Sequence, residues 1–444
     1  MKKINLIIII ILFYLKTYGQ YTFNCTIEGY TNQQVTLCSQ FSDESKIIST
    51  ISVVRGHFYF SLDTLQPGLY RIYTIEDNYF NFIFNKENIT LVTNSNNLIY
   101  NMEVIESSEN KQLYNYLISS YITDYKIKII EQFLDIYPDG NFKKLAEKEY
   151  ADLLNEKNKN IEAAIKLNHK SFAGRYLGLY KELKFPQNLA ENEKSKYIDN
   201  NFWKLYNIND TLLLNSDAYN QIVINFFKLK SGNLPTTEKY YKSAQEILNK
   251  FLNTDKRIFN LVFEYILSGF ETLELYDEIV KLSNEYSNIC TEDESNLSLR
   301  IKNYTELSIG KQVADIQTET ITGKTIKLSE TTQEYTLLIF WATWCEHCAE
   351  LIPKIEKTKT YIESQNINIL TVSLDKYPEN LNNFIETNNL TINIICDYKS
   401  WDNQIIKKYF IFGTPTMFII DKNLKIVARP LNETQLYSVI MKLK

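Results

Sequence analysis

The sequence of 444 residues is poor in cysteine, histidine, proline and glycine, with 6, 3, 8 and 12 residues respectively. Six cysteines are too few for a chain of this length to have a fold stabilised mainly by disulfide bonds. The scarcity of proline and glycine argues against long disordered linkers. The 48 basic and 53 acidic residues give a net charge of −5 and are interspersed along the chain, which argues against a nucleic-acid partner.

Aromatic residues are abundant, with 32 tyrosines and 24 phenylalanines, and 44% of all residues are hydrophobic. This composition predicts that most of the chain is folded. A length of 444 residues exceeds one compact core of ordinary size, so we expect two or three domains.

The first twenty residues have the layout of a secretory signal. Lys2 and Lys3 precede an apolar run from Leu6 to Leu15, and small or polar residues follow it. As a helix this run would rise roughly 15 Å, about half the hydrocarbon core of a bilayer, so it is too short to span one. We expect residues 1–20 to be a signal peptide and the protein to be exported to the periplasm or cell envelope, without a stable membrane span. The alternative is an uncleaved N-terminal anchor or a buried strand.

Three segments with different hydrophobic spacing follow. In residues 21–102 short runs alternate apolar with polar residues between turn-forming residues, which predicts an antiparallel β domain, a sandwich of about six to eight strands. In residues 103–306 apolar residues recur at helical spacing, which predicts an all-α helical region. Residues 307–444 alternate apolar strands with helical stretches, which predicts an α/β domain built on a mixed sheet.

Two local signals mark the ends of elements in these segments. Thr236 or Thr237 precedes a helical pattern and could cap that helix. Asp421-Lys422-Asn423 separates two apolar runs near the C-terminus, which predicts a hairpin turn there.

Cys345 and Cys348 form a Cys-x-x-Cys motif between an apolar strand and a helical sequence. At the N-terminus of that helix, Cys345 would lie where unpaired backbone N–H groups and the helix dipole favour a thiolate, which is the attacking species. Cys348, one turn into the helix, would then attack the Cys345 sulfur and resolve the mixed disulfide. The pair therefore predicts a two-electron thiol–disulfide cycle.

Two other interpretations of this spacing are open. A zinc site shares the spacing but needs four ligands, and the sequence has no second Cys-x-x-Cys or Cys-x-x-His. We therefore expect no metal and no other cofactor. Alternatively, both cysteines are buried structural residues, although the strand before them and the helix after them favour the redox motif.

The segment around the pair resembles a known family. The residues FWATWCEHC, the helix residue Pro353, VSLD at Val372–Asp375 and FGTPTMFIID at Phe412–Asp421 are together similar to a thioredoxin-like domain of the TlpA/ResA type. The match covers roughly the last 135 residues, judged by motif order. It implies a thioredoxin-like fold and the activity of a thiol–disulfide oxidoreductase.

The resemblance also implies roles for residues outside the pair. Pro415 would be a cis-proline whose loop faces the pair, and we expect it to bind substrate together with Thr414 and Trp344; a trans proline that opens the next strand is the alternative. Trp341 would pack around the pair with Trp344, and Pro353 would kink the active-site helix.

The sequence departs from the family at the position of the proton shuttle. Thioredoxins carry an acidic residue six positions before the first active-site cysteine, and this chain has Ile339 there. ResA-type members carry a glutamate three residues after the second cysteine, where this chain has Leu351. Glu350, one step earlier, is one candidate for the proton shuttle. Glu346, between the cysteines, is the other candidate, and its alternative role is that of an exposed first-turn acid that favours the helix dipole.

His347 and Glu346 lie between the two cysteines and should shift the pKa of Cys345 in opposite directions. An imidazole beside Cys345 would stabilise its thiolate and destabilise the disulfide, whereas Glu346 acts the other way. We predict a Cys345 pKa below the free value of about 8.5 and a potential less reducing than thioredoxin's value of about −270 mV.

The remaining cysteines suggest no second redox site. Cys25 and Cys38 could form a disulfide within the β domain that contributes about 3 kcal/mol, but strand alternation leaves open whether their side chains meet. Cys290 and Cys396 are most simply buried apolar residues. The β segment weakly resembles a small domain of unknown role that often precedes such redox domains.

These features predict a thiol–disulfide oxidoreductase that reduces or isomerises disulfides in exported proteins. Its partners would be exported proteins with disulfides or thiols and a membrane-side thiol electron donor. The alternative is an envelope scaffold in which the β and helical domains recruit a partner and the redox domain is accessory. A peroxidase is disfavoured, because peroxide-reducing relatives use a threonine three positions before the nucleophile, where this chain has Ala342.

Overall fold

The structure is a computed structural model that describes residues 21–443, apart from residues 42–43, 76–77, 187–188, 232–235, 291–295 and 331–332. The predicted signal peptide, residues 1–20, lies outside the described residues. The chain divides into two compact units between Tyr265 and Ile266. None of the helices in the described part of the chain combines the length and apolar character needed to cross a bilayer.

The first unit begins with β strands, as the alternating pattern predicts. They are β1 (Thr22–Glu28), β2 (Gln34–Phe41), β3 (Glu44–Ser52), β4 (His57–Ser61), β5 (Gly68–Ile75), β6 (Asn78–Phe84), β7 (Ile89–Asn94) and β8 (Glu103–Glu106). Among the described residues they form two four-stranded sheets, with strand orders β4-β1-β7-β8 and β3-β2-β5-β6. Phe23 of β1 lies 4.5 Å from Phe82 of β6, ring centre to ring centre, so side chains of the two sheets share one core.

Two details of these sheets differ from the prediction. The pairing of β1 with β7 is parallel, because the chain forms β5 and β6 in the other sheet before β7 returns beside β1. Strand β8 lies beyond residue 102, in the segment predicted to be helical, because Val104 pairs with Leu91 of β7. The other strand pairs of these sheets are antiparallel, as predicted.

Helices follow over most of the segment with helical spacing. They are α1 (Ser108–Ile136), α2 (Asn141–Leu167), α3 (Phe172–Leu177), α4 (Glu191–Asn201), α5 (Ala218–Ser231), α6 (Thr237–Phe251), α7 (Lys256–Thr272), α8 (Tyr276–Cys290) and α9 (Asn296–Glu306). Thr236 is the cap of α6, because its side chain accepts the Lys239 N–H. The division between the two units falls within α7.

The second unit contains the predicted α/β domain. Its strands are β9 (Gln317–Glu319), β10 (Thr325–Lys327), β11 (Tyr335–Trp341), β12 (Ile367–Ser373), β13 (Asn393–Ile395), β14 (Thr416–Asp421) and β15 (Ile426–Ala428). Its helices are α10 (Glu346–Ser364), α11 (Pro378–Asn388), α12 (Gln404–Lys408) and α13 (Glu433–Ile440). A five-stranded mixed sheet, counted over the described residues, has the order β13-β12-β11-β14-β15.

The central strands of this sheet are buried on both faces. Residues 337–341 of β11 are all 0% exposed, although successive side chains of a strand point to opposite faces. Strand β11 pairs in parallel with β12 and antiparallel with β14, so the sheet is mixed as predicted. The hairpin between β14 and β15 turns at the predicted residues, and the Leu424 N–H donates to the Asp421 carbonyl there.

Candidate active site

The pair of cysteines lies where strand β11 ends and helix α10 begins. Cys345 is the N-cap of α10, and its Sγ accepts the backbone N–H of Cys348 at 3.3 Å. Its own carbonyl accepts the Ala349 N–H, the first bond of the helix. The sulfur therefore faces the unpaired N–H groups and the positive end of the helix dipole, which both stabilise a thiolate.

Cys345 and Cys348 are joined by a disulfide, with their Cα atoms 5.2 Å apart. Cys345 is 9% exposed and Cys348 is 0% exposed. The two residues therefore differ in access, because Cys345 retains some exposed area and Cys348 has none. This asymmetry fits the predicted division into an attacking and a resolving thiol.

A loop before strand β14 lies against the Cys345 sulfur. The Thr414–Pro415 peptide bond is cis, as the family resemblance implied. The carbonyl oxygen of Thr414 lies 3.3 Å from the Cys345 Sγ. The strand register explains this approach, because Thr416 pairs with Phe340 near the end of β11 and so brings the loop to the same edge of the sheet.

The two tryptophans near the pair have different surroundings. Trp341 is 0% exposed and packs against Phe384, with ring centres 5.5 Å apart. Trp344 directly precedes Cys345 and is 55% exposed. Trp344 therefore lies on the surface beside the sulfur, and Trp341 belongs to the core beneath it.

The charged residues predicted to act on the pair lie at the surface. Glu346, His347 and Glu350 are all exposed. Residues two positions apart on a helix point in directions about 200° apart, so Glu350 and the buried Cys348 lie on different faces of α10. This geometry disfavours Glu350 as the base that deprotonates Cys348. The position that carries an acid in thioredoxins is occupied by Ile339, which is 0% exposed.

A buried carboxylate, Asp375, contacts the segment before the pair and was not among the predicted site residues. It is 1% exposed and accepts the Thr343 N–H at 3.1 Å and the Thr343 hydroxyl at 2.5 Å. It also accepts the Ser373 hydroxyl at 2.7 Å. Thr343 is two residues before Cys345, so Asp375 holds the segment that leads into the nucleophile.

The helix α9 contacts the segment that leads into the cis-proline loop. The ring of Phe412 lies 6.0 Å from the ring of Tyr304 and 5.4 Å from the guanidinium of Arg300. Arg300 forms an ion pair with Glu271 at 2.6 Å, and the Tyr304 hydroxyl donates to the same carboxylate at 2.5 Å. Phe412 is two residues before Thr414, so helix α9 supports the loop that faces Cys345.

Arg429, which is 8% exposed, joins the same helix to the end of the α/β domain. Its guanidinium donates to the carbonyls of Asn303 at 2.9 Å and Leu307 at 3.0 Å, and it lies 4.9 Å from the ring centre of Phe418. Helix α9 is therefore packed with the α/β domain in the second unit, although the predicted domain boundary follows this helix at residue 306.

The other cysteines described in the structure lie in different surroundings. Cys25 of β1 and Cys38 of β2 are buried and free, so the open question of a disulfide between them is answered in the negative. Burial raises the pKa of both thiols. Cys396 is only half-buried, its thiol donates to the Asp375 carbonyl at 3.5 Å, and burial raises its pKa. The side chain of Cys290 lies outside the described part of the chain.

The described residues contain no group of three or more histidine, cysteine, aspartate or glutamate side chains that could hold a metal ion. The zinc interpretation of the Cys-x-x-Cys motif therefore has no further ligands in this part of the chain. The two sulfurs of the motif are bonded to each other instead.

Comparison with protein families matches two segments of the chain. Residues 309–429 match the AhpC/TSA family. Residues 21–114 match a domain of unknown function, DUF4369. The C-terminal segment is therefore a thioredoxin-like domain of the AhpC/TSA family.

Curated relatives of the chain align over part of its length. The thiol-disulfide oxidoreductase ResA of Geobacillus thermodenitrificans is 28% identical over 122 residues, which are 28% of this chain and 68% of the relative. The sporulation thiol-disulfide oxidoreductase A of Bacillus subtilis is 30% identical over 107 residues, which are 23% of this chain and 62% of the relative. The chain is thus homologous to enzymes of the ResA type and is itself a thiol–disulfide oxidoreductase.

Solved structures also resemble part of the chain. The thioredoxin domain of a Bacteroides vulgatus thiol-disulfide oxidoreductase covers 31% of this chain and 97% of its own length, at 26% identity and a TM-score of 0.29. A thiol-disulfide oxidoreductase from Bacteroides fragilis covers 30% of this chain and 100% of its own length, at 25% identity and a TM-score of 0.28.

Proposed function

We propose that this chain exchanges disulfides with protein substrates through a dithiol formed by Cys345 and Cys348. One observation carries the proposal: the Cys345 sulfur caps helix α10 and lies 3.3 Å from the Thr414 carbonyl in a residue that is 9% exposed, while Cys348, one turn into the helix, is 0% exposed. A helix N-terminus favours the thiolate that attacks a substrate. Because Cys348 is buried, its sulfur is less accessible to substrates and is suited to attack the sulfur of Cys345.

The reduced pair would act in two steps. The Cys345 thiolate attacks one sulfur of a substrate disulfide, that S–S bond breaks, and the leaving thiolate takes a proton from water. Cys348 then loses its proton and attacks the Cys345 sulfur, which breaks the mixed disulfide and releases the second substrate thiol after protonation. The substrate gains two electrons and two protons, and the chain is left with the Cys345–Cys348 disulfide, the form seen in the structure.

A thiol electron donor on the membrane side would regenerate the dithiol. The disulfide must receive two electrons before a second reductive turnover, and thiol–disulfide exchange with a donor supplies them without a bound cofactor. Among the predicted tuning residues, His347 and Glu346 are exposed, so the surrounding water weakens their electrostatic effects on the Cys345 sulfur, and the two effects oppose each other. We therefore assign the larger part of the lowering of the Cys345 pKa to the helix N-terminus.

We propose exported proteins as the substrates and the periplasm or cell envelope as the location. The support is the signal layout of residues 1–20 together with a cysteine pair suited to disulfide chemistry. The division into a signal peptide, a β domain (21–102), a helical domain (103–306) and a thioredoxin-like domain (307–444) remains part of this proposal.

Insulin reduction by dithiothreitol, followed as turbidity, tests the mechanism. We expect Cys345→Ser and Cys348→Ser to lower the rate to that of the uncatalysed reaction, because each removes one sulfur of the cycle. The matched control is Cys25→Ala, which removes a thiol from the β region and should keep the wild-type rate. Undiminished turbidity rates in both active-site variants would contradict the proposed mechanism.

Trapping in cell extracts tests the choice of substrates. Cys348→Ser should accumulate mixed disulfides through Cys345, because the resolving sulfur is absent. The double variant that lacks both sulfurs should capture none of these proteins. If the captured proteins carry no export signal, the proposed location is wrong even where the mechanism holds.

A further inference from the structure

An exposed aromatic residue, Trp401, lies beside Trp344 and outside the sequence motifs of the site. Trp401 is 43% exposed, and its ring centre lies 6.3 Å from that of Trp344, which is 55% exposed. Trp344 directly precedes Cys345, so the two indoles form one apolar surface next to the attacking sulfur. Large exposed aromatic side chains in contact with each other are typical of binding surfaces.

The loop that carries Trp401 is built at a conformational cost. Tyr398 and Ser400 have φ angles of 58° and 53°, a left-handed conformation that non-glycine residues rarely adopt. The loop is closed by backbone bonds from Asp402 to Lys399 at 3.0 Å and from Asn403 to Ser400 at 3.1 Å. The backbone that carries the indole is therefore ordered before a substrate arrives, which lowers the entropic cost of binding.

The geometry of disulfide exchange indicates which molecule covers the two indole rings. A substrate must bring a sulfur atom to the sulfur of Cys345. This residue is only 9% exposed, and its sulfur lies 3.3 Å from the Thr414 carbonyl oxygen. The atoms bonded to the incoming sulfur must then lie over the neighbouring residues, and Trp344 is the immediate neighbour. In a polypeptide substrate, the residue next to the reacting half-cystine falls within reach of the indole pair.

We propose that Trp401 and Trp344 bind an apolar residue that flanks the reacting half-cystine of a polypeptide substrate, which makes Trp401 a specificity-determining residue. The inference rests on the proposed dithiol function and adds the substrate class to it. Indole rings offer a broad apolar face, so phenylalanine or leucine beside the half-cystine gains burial that serine cannot gain.

Two synthetic disulfide peptides that differ at one position test the inference. Each has the same length and charge, with either phenylalanine or serine beside the half-cystine, and kcat/KM is measured for reduction by the full reduced chain. We expect the wild type to prefer the phenylalanine peptide by about tenfold. Trp401→Ala should bring this ratio close to one, and Trp401→Phe should keep an intermediate ratio because part of the aromatic face remains.

The matched control is Tyr361→Ala. Tyr361 is 45% exposed and lies near the far end of helix α10, fifteen residues or about 22 Å along the axis from Glu346, so its removal should leave the ratio at the wild-type value. A Trp401→Ala ratio equal to that of the wild type would overturn the inference. So would an equal loss of kcat/KM for both peptides, because that result indicates a general disturbance of the site.

The design separates this inference from the function on which it rests. If Cys345→Ser reduces both peptides as fast as the wild type, the dithiol function fails and the inference fails with it. If turnover depends on Cys345 while the phenylalanine-to-serine ratio does not depend on Trp401, the dithiol function stands and the inference alone is wrong.

Discussion

The β region of the first unit and the α/β domain of the second each hold a pair of cysteines, and the two pairs differ in kind. Cys25 and Cys38 lie within strands, are 1% and 2% exposed, and are free. Cys345 and Cys348 lie at the first turn of a helix, are 9% and 0% exposed, and are bonded to each other. Cys348 is as deeply buried as Cys25, so burial alone does not separate a redox cysteine from a packing cysteine.

The two pairs differ in the secondary structure that carries them. Cys25 and Cys38 belong to strands of different sheets, and each is an inward residue of its strand. Cys345 instead occupies a helix cap, where its sulfur accepts a backbone N–H and where the next cysteine on the same face is one turn away. Burial without such donors disfavours a thiolate, whereas a helix N-terminus favours it.

Alkylation of the reduced protein should give the largest contrast between the two pairs. Under native conditions at neutral pH, we expect iodoacetamide to modify Cys345 about 10³-fold faster than Cys25 or Cys38. The thiolate is the reacting species, and each unit of pKa difference changes its population about tenfold. The rates would be measured for each cysteine-containing peptide by mass spectrometry.

The pH dependence of the same reaction measures the Cys345 pKa directly. We expect a value below about 8.5, the value of a free cysteine. Unfolding the protein in denaturant provides the control, because all cysteines should then react at similar rates. Equal native rates for Cys345 and Cys25 would remove the contrast between the two regions.

Removal of the carboxylate beside the active pair should cost stability in the second unit. Asp375→Ala leaves the Thr343 N–H, the Thr343 hydroxyl and the Ser373 hydroxyl without their acceptor at a site that is 1% exposed. We expect a loss of about 3 kcal/mol in the free energy of unfolding, because buried donors without partners are costly. Denaturant unfolding, followed by far-UV circular dichroism, gives this value.

Two matched variants show whether the hydrogen bonds are the cause. Asp139→Ala removes a carboxylate that is 96% exposed, and it should change the free energy of unfolding by less than about 0.5 kcal/mol. Asp375→Asn keeps an acceptor oxygen and should recover part of the loss. A free energy for Asp375→Ala within about 0.5 kcal/mol of the wild type would mean that Asp375 does not hold the segment before Cys345.

The position of the cysteine pair at the start of a helix could be predicted from sequence, because its signal is local. A strand, two cysteines and a helix follow one another within a short segment, and the cis-proline loop followed from the family resemblance. Asp375 could not be assigned, because its contact with Thr343 spans 32 residues and depends on the pairing of Trp341 with Ser373. An acid two residues after a buried parallel strand is the signal that could have suggested it.

In the fold, too, features set by residues close together in sequence could be predicted, whereas contacts between distant segments could not. The mixed sheet of the α/β domain and its closing hairpin follow from the spacing of apolar residues and from turn residues. The parallel pairing of β1 with β7 does not, because alternation tells which face of a strand is buried and not which strand lies beside it. Trp401 is likewise near Trp344 only through the folded sheet, and its sequence surroundings gave no sign of this.

Shortening a packing cysteine should have the smallest effect. Cys25→Ala removes the sulfur from a side chain that is 1% exposed, so we expect a loss of about 1 kcal/mol in the free energy of unfolding from the small cavity. Insulin reduction should keep the wild-type rate, because Cys25 takes no part in the proposed cycle. Thermal unfolding and turbidity, measured on one preparation, separate the two effects. If the Cys25→Ala protein folds normally but reduces insulin more slowly, Cys25 contributes to the reaction. The distinction between a redox pair and a packing pair of cysteines would then be wrong.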